Sequence, residues 1–391
     1  MAQRSIIGGP VAAEKGAVAG AAAGVPGLGL AILMVCCAGR LQAAEAGGAS
    51  ACRHVVVSDS AKAQQALKSA HDGDTIELAP GNYVLDKVQG FNFPHGVTVT
   101  SSDPAHPAVL EGLYLQEASG LTFSDLEVKV DARQRVGVIV QGGGRVNLAD
   151  LDIHGQAVSD GLGVRLMEVK DVTLSNLDIH DVQGGVAIAR SDTVSVLNSK
   201  IHDLEIDGVQ TIATSHLTIS GNSFTNFYPK TGDHSDAMQF VGAPAPAHDI
   251  TITNNTYVRG VGLGNTQGVF MGDEGGAPYQ NVTISGNAIV GGVYHGISVY
   301  GVDHLDLNHN LVVGYSDITS WILVNASKNA RVTDNVATAM NPGKDNVGLA
   351  ADRNKTIKQP KIGDVAMLAG RPESAKAGPG ARERRRGACS S

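Results

Sequence analysis

VTLSNLDI (172–179), LTISGNSF (217–224), ITITNNTY (250–257) and VTISGNAI (282–289) are near-copies of one octapeptide. In each, apolar residues alternate with small polar ones, the period of a strand with one buried face. Related segments begin at Val97, Leu121, Val146, Val194, Leu305 and Arg331. A second alternating run follows, as in GVAIA (185–189), GVQTI (208–212), AMQFV (237–241), GVFMG (268–272) and GISVY (296–300). The spacing is 22–26 residues, except for two units of 33 and 32 residues starting at Leu217 and Ile250. A period in the low twenties with two or three short strands per unit predicts a solenoid. A leucine-rich repeat would need a fixed Leu/Asn consensus and a helical side, and neither is present. The expected fold is all-β: a single-stranded right-handed parallel β-helix, a solenoid of about ten coils with rungs about 4.8 Å apart. With 49 glycines in 391 residues and 4% aromatics, the composition suits short strands and tight turns over long helices.

The ends read differently from this body. Residues 1–46 resemble an export signal: Arg4 and Lys15, then an apolar Val18–Cys37 stretch, then a small-x-small site at Ala44-Glu45-Ala46. Pro26 and several glycines interrupt the apolar stretch, which argues against a stable membrane span and for a secreted or periplasmic product. Residues 47–96 are expected to cap the solenoid, with a helix starting near Ser60 and presenting Ala63, Ala66, Leu67 and Ala70 on one face. The β-helix is assigned to 97–340, a C-terminal cap to 341–370, and a disordered basic tail to 371–391. The net charge of −8 hides an uneven distribution: +1 on residues 1–46 and +4 on 371–391 leave −13 on 47–370. An acidic body excludes nucleic acid as a natural partner. Cys52 and Cys389 would remain after cleavage and show no metal-ligand spacing; a disulfide between them is possible but has no support in the sequence, so both are read as thiols without a role. The protein is expected to be a monomer.

Two recurrences are structural. Asn222, Asn255, Asn287, Asn310 and Asn335 occupy one turn position in five successive coils, as an asparagine ladder would. His154, His180 and His202 recur as I-H-[GD] in three coils and are read as a stack, not a metal site.

The capping stretch GDTIELAPGNYV (73–84), together with the repeats, resembles the pectate-lyase-like β-helix superfamily over about residues 55–340. That superfamily includes polysaccharide lyases, alginate epimerases, polygalacturonase-type hydrolases and phage depolymerases, so the resemblance implies a carbohydrate substrate more than one reaction.

The chemistry is sought on the second strand of each coil. With Val164, Val186, Val209, Met238, Val269, Ile297 and Ile322 facing inward, one outward row reads Arg165, Ala187, Gln210, Gln239, Phe270, Ser298, Leu323. The next reads Met167, Ala189, Ile212, Val241, Gly272, Tyr300, Asn325. At the preceding bend stand Asp207, Asp236, Gln267, His295 and Ser320. The flanking YPKTGDHSD adds Tyr228, Lys230, Asp233 and His234, and the two longest coils bracket this cluster. For β-elimination on a uronate polymer, His234 or Lys230 would be the base and Tyr228 or Tyr300 the acid. Gln210, Gln239 and Arg165, with Phe270 and Tyr300, would bind substrate. Ca2+ on Asp207, Asp236, Asp273 or Glu274 would offset the polyanion's charge; no organic cofactor is implied. C5 epimerisation needs the same equipment, but GDHSD lacks the Tyr-Gly-Phe lead-in and the proline of the epimerase motif it resembles. Asp207, Asp236 and His295 resemble polygalacturonase-type hydrolase positions, although Ser235 stands where an adjacent Asp is needed. A non-catalytic carbohydrate-binding β-helix is the remaining alternative.

Overall fold

The computed structural model describes residues 52–260, 265–272 and 276–360. The helix forms at Ser60–Lys68, where Asp59 caps it by accepting the Lys62 N–H at 2.9 Å. Ala63 and Leu67 are buried, and Ala66 and Ala70 pack against the same core.

Beyond the helix the chain winds through three strand positions per turn. The first halves of the octapeptides lie on the first face, in strands such as Lys170–Ser175, Asp192–Leu197, Ser215–Ser220 and His248–Thr253, and their last residues turn the corner onto the second face. The second face is a parallel sheet of twelve strands running from Asn82–Tyr83 to Lys355–Thr356. The third face carries Leu162–Met167, Gly184–Ala189, Val209–Ile212, Ser235–Val241, Thr266–Met271, Tyr294–Tyr300 and Ser320–Asn325. Every one of these neighbours pairs in parallel, one coil on the next. Pairing already begins at His54–Val57 with Thr75–Leu78, and it continues to Arg331–Thr333 with Ala350–Asp352.

Inward residues are Val, Leu and Ile in long files, such as Val172, Val194, Leu217, Ile250, Val282 and Leu305. Each such burial stabilises by roughly 1.5–3 kcal/mol before ordering entropy is counted. The abundant glycine has a specific job at the entry to the third face. Gly163, Gly185, Gly208, Gly268 and Gly296 stand in file there, with Ala237 as the exception. A Cβ on Gly185 would lie 2.3 Å from the Gly208 carbonyl oxygen, so the file holds a corner too tight for side chains.

The asparagine ladder forms as expected. Each Asn Nδ2 donates to the next Asn Oδ1 at 3.0 Å from Asn222 to Asn335, and each Oδ1 also accepts the preceding Asn backbone N–H. Asn354 adds a further rung that the repeats did not reveal. The three histidines also stack, with ring centroids 5.3 and 5.2 Å apart. Their nitrogens bond Glu127, Asp152, Asp178, Asp181 and Asp203, which makes a His/carboxylate column.

One expectation is corrected. Cys52 is disulfide-bonded, not a thiol without a role. A single cysteine at one end of a chain carries no spacing signal, and its partner lies outside the described residues. The segments expected to be an export signal (1–46) and a basic tail (371–391), and residues 361–370 of the expected C-terminal cap, also lie outside them. Among the described residues no helix is long and apolar enough to cross a membrane.

Candidate active site

The third-face register matches the sequence alignment residue for residue from Arg165 through Ala187, Gln210, Gln239, Phe270 and Ser298 to Leu323. The bend row departs at one place. A bulge between His295 and Ile297 sets Trp321, not Ser320, opposite His295, and Ser320 falls opposite Tyr294.

Asp207 and Asp236 are fully buried neighbours. The Asp236 N–H donates to Asp207 Oδ1 at 2.9 Å, and Gln210 Nε2 donates to Asp207 Oδ2 at 2.7 Å. Burial first, and then the charge of Asp236, push the Asp207 carboxyl well above its usual range. Burial also raises Asp236, opposed by its hydrogen bond to His234. That bond, Asp236 Oδ2 to His234 Nδ1, is 2.9 Å long and holds an imidazole that is 31% exposed. The opposite nitrogen, His234 Nε2, lies 2.9 Å from the Gln267 amide. Asp236 Oδ1 and Gln267 Oε1 are buried without a partner. The Gln267 amide can therefore serve either proton state of His234, its NH2 toward the neutral ring or its oxygen toward the imidazolium.

Phe270 stands edge-on between His234 and His295, at centroid distances of 5.3 and 5.4 Å, and touches Tyr300 at 5.7 Å. Trp321 packs against His295 at 5.4 Å and against Tyr294 at 5.5 Å. Burial, aided by His234, lowers His295 and keeps it neutral, while its Nδ1 contacts Ser298 Oγ at 2.6 Å. Burial raises the Tyr300 phenol, which so keeps its proton. Tyr294 and Trp321 were missed in the sequence because they belong to no recurring position. The available signal was that Trp321 is the chain's single tryptophan.

The structure separates other expected members from this group. Gln210 and Gln239 are buried and hydrogen-bonded to each other, so they form a ladder rather than a binding surface. Lys230 is bonded to the buried Glu205, and Tyr228 donates to Asp203 at 3.2 Å. Arg165 lies half-buried between Ile139 and Ala187, and burial lowers its pKa. Among the described residues it has no carboxylate partner. It stands four rungs, or roughly 19 Å, from Phe270, too far to share one sugar.

Ca2+ needs six to eight oxygens. Asp207 and Asp236 spend three of their four carboxylate oxygens on the N–H groups of Asp236, Gln210 and His234. These two carboxylates by themselves do not supply such a shell, and Asp273 and Glu274, the other expected ligands, lie outside the described residues.

Residues 111–266 match the family model described as right handed beta helix region. Among solved structures, the Dettilon tailspike protein is similar at 12% identity and a TM-score of 0.52, over 74% of this chain and 63% of the tailspike. The chain thus spans less than two thirds of that neighbour's length. An alginate lyase from Paenibacillus sp. str. FPU-7 matches at 17% identity and TM-score 0.35, over 76% of this chain and 99% of its own. A Yersinia enterocolitica family 28 exopolygalacturonase matches at 12% and 0.39, over 79% of each. No curated protein sequence matches the chain. The fold is thus a right-handed parallel β-helix, the fold that the matched family model describes.

Proposed function

We propose that this is an exported carbohydrate-active β-helix that cleaves a uronate-containing polysaccharide by β-elimination at His234, His295 and Tyr300. The observation that carries the reading is the grouping of a His–Asp dyad, a neutral histidine and a protonated tyrosine around an aromatic platform. His234 Nε2 takes the C5 proton, and the buried Asp236 carboxylate stabilises the resulting imidazolium. With Ser298 donating to Nδ1, neutral His295 offers its Nε2–H to the sugar carboxylate. The C5–H electron pair becomes the C4–C5 double bond as the C4–O4 bond breaks, and Tyr300 protonates the departing O4. Phe270, Tyr294 and Trp321 supply ring faces and edges for sugar packing. Hydrolysis is disfavoured because its two carboxylates, Asp207 and Asp236, are sealed from substrate. The tailspike, alginate lyase and polygalacturonase neighbours suit a polysaccharide partner and an exported protein without choosing the reaction.

The test is to incubate the full chain with a panel of uronate polymers and follow both the ultraviolet absorbance of unsaturated product and reducing ends. A rise in both that is abolished in His234→Ala and Tyr300→Phe is expected. Reducing ends without absorbance would mean hydrolysis. Binding without either signal would mean a non-catalytic surface. Either result overturns the proposal.

A further inference from the structure

A second chemical cluster lies on the first face, away from the residues proposed for catalysis. His216 lies in the rung Ser215–Ser220, register-paired through Leu217 with Ile250, and so stacks directly beside Asp249 on the next rung. His248 adjoins it. Each of the three side chains can present one ligand atom, and those atoms lie within 4.8 Å of one another. The closest approaches are His248 Nδ1 to Asp249 Oδ2 at 2.7 Å and His216 Nε2 to the same oxygen at 3.4 Å. Ligand atoms about 2.0–2.1 Å from a tetrahedral zinc ion stand about 3.3 Å apart, so these separations bracket what the ion needs.

The surroundings hold the atoms that would not bind metal. Asp192 Oδ2 bonds His216 Nδ1 at 2.9 Å, which orients Nε2 toward the cluster. Asn281 Nδ2 bonds Asp249 Oδ1 at 3.1 Å, which leaves Oδ2 for the ion. A carboxylate behind a ligating imidazole and an amide behind a ligating carboxylate are the usual outer supports of a metal centre. The two imidazoles meet edge to face at 4.9 Å. All three side chains are 40–48% exposed, so an ion can enter and keep water on its open positions.

We infer that His216, His248 and Asp249 form a binding site for a divalent transition metal of the zinc, cobalt or nickel class. Two imidazoles and one carboxylate favour these ions over calcium or magnesium. The ion would clamp two rungs that are joined by a coil of 33 residues. It would also pin the end of the loop that joins Ser235–Val241 to His248–Thr253.

The test uses the full, untagged chain and Zn2+ alone in calorimetry, with Co2+ absorption as a second readout. One equivalent is expected to bind, raising the Tm by several degrees, and bound Co2+ is expected to show visible bands. His216→Ala and His248→Ala should each weaken binding at least about tenfold, and Asp192→Asn roughly tenfold. The ligand variants are at the surface, and an unchanged Tm without metal will confirm that they fold. His202→Gln, on the stacked column, should bind zinc as the parent does. The inference fails if no stoichiometric zinc binds, if the two alanine variants bind as the parent does, or if His202→Gln loses the ion.

Discussion

Replacing Asn287 by alanine tests what keeps the coils in step. Its Oδ1 accepts the Asn255 N–H at 2.9 Å and Asn255 Nδ2 at 3.0 Å. Its Nδ2 donates to Ile252 O at 2.9 Å, to Asn310 Oδ1 at 3.0 Å and more weakly to Ser285 O at 3.2 Å. Four good bonds at roughly 1 kcal/mol each are lost, and the fully buried Asn255 N–H loses this acceptor, at roughly 1–3 kcal/mol more. Relaxation around the site offsets part of this, so the expected destabilisation is roughly 3–5 kcal/mol. Asn354→Ala at the end of the ladder removes only three bonds, to Asn335 N, Asn335 Nδ2 and Val332 O, and water can replace them. It should cost roughly 1 kcal/mol. Urea unfolding of both variants, with hydrogen exchange at the Asn255 amide, measures the contrast. A loss below about 1 kcal/mol for Asn287→Ala, or no difference between the two sites, would refute the view that the ladder is a principal stabiliser.

Other expectations concern the site and the column. Asp236→Asn should lower turnover by roughly 10²–10⁴, because a neutral amide cannot stabilise the imidazolium of His234. The same change should help folding. Raised carboxyl pKa values mean that the Asp207/Asp236 pair contributes stability at low pH and loses it as pH rises through the folded values, so the variant's Tm should gain on the parent's between acid and neutral pH. The bond from Asp178 raises His202 to about 9. Its stabilisation is therefore complete below the ordinary histidine pKa and vanishes as pH climbs through about 9, so thermal melts of His202→Gln should show a deficit at neutral pH that closes in alkali. Gly185→Ala should cost roughly 1–3 kcal/mol in urea melts by driving a methyl group onto the Gly208 carbonyl. EDTA should leave turnover intact, since the catalytic residues named above need no ion; loss of activity on chelation would return a metal to the mechanism.

The sequence carried the register well because inward Val, Ile and Leu positions mark every rung. Once Val209, Met238 and Val269 are aligned, the outward Gln210, Gln239 and Phe270 follow by alternation. The asparagine and histidine files were legible for the same reason. Burial of the outward row was not. A strand pattern says which side Gln210 and Asp236 leave from, and it does not say whether inserted coils will cover them. The bulge at His295 was hidden because one extra residue beside Gly296 leaves the alternation on both sides undisturbed. Asn354 escaped notice because the strand before it, Ala350–Asp352, is exposed and lacks the apolar residues that flagged the other rungs. The His216, His248 and Asp249 cluster was invisible because its members lie 32 and 33 residues apart across the longest turn.

The asparagine file has a further consequence. Its successive members are separated by 33, 32, 23, 25 and 19 residues, yet each makes the same bonds to the next. Register is thus set at one corner, independent of how much chain is spent elsewhere in the turn. Coil length becomes a free design variable. A loop at the rim of the third face can be lengthened, shortened or exchanged without shifting any rung, which lets one scaffold present differently shaped clefts to different polymers.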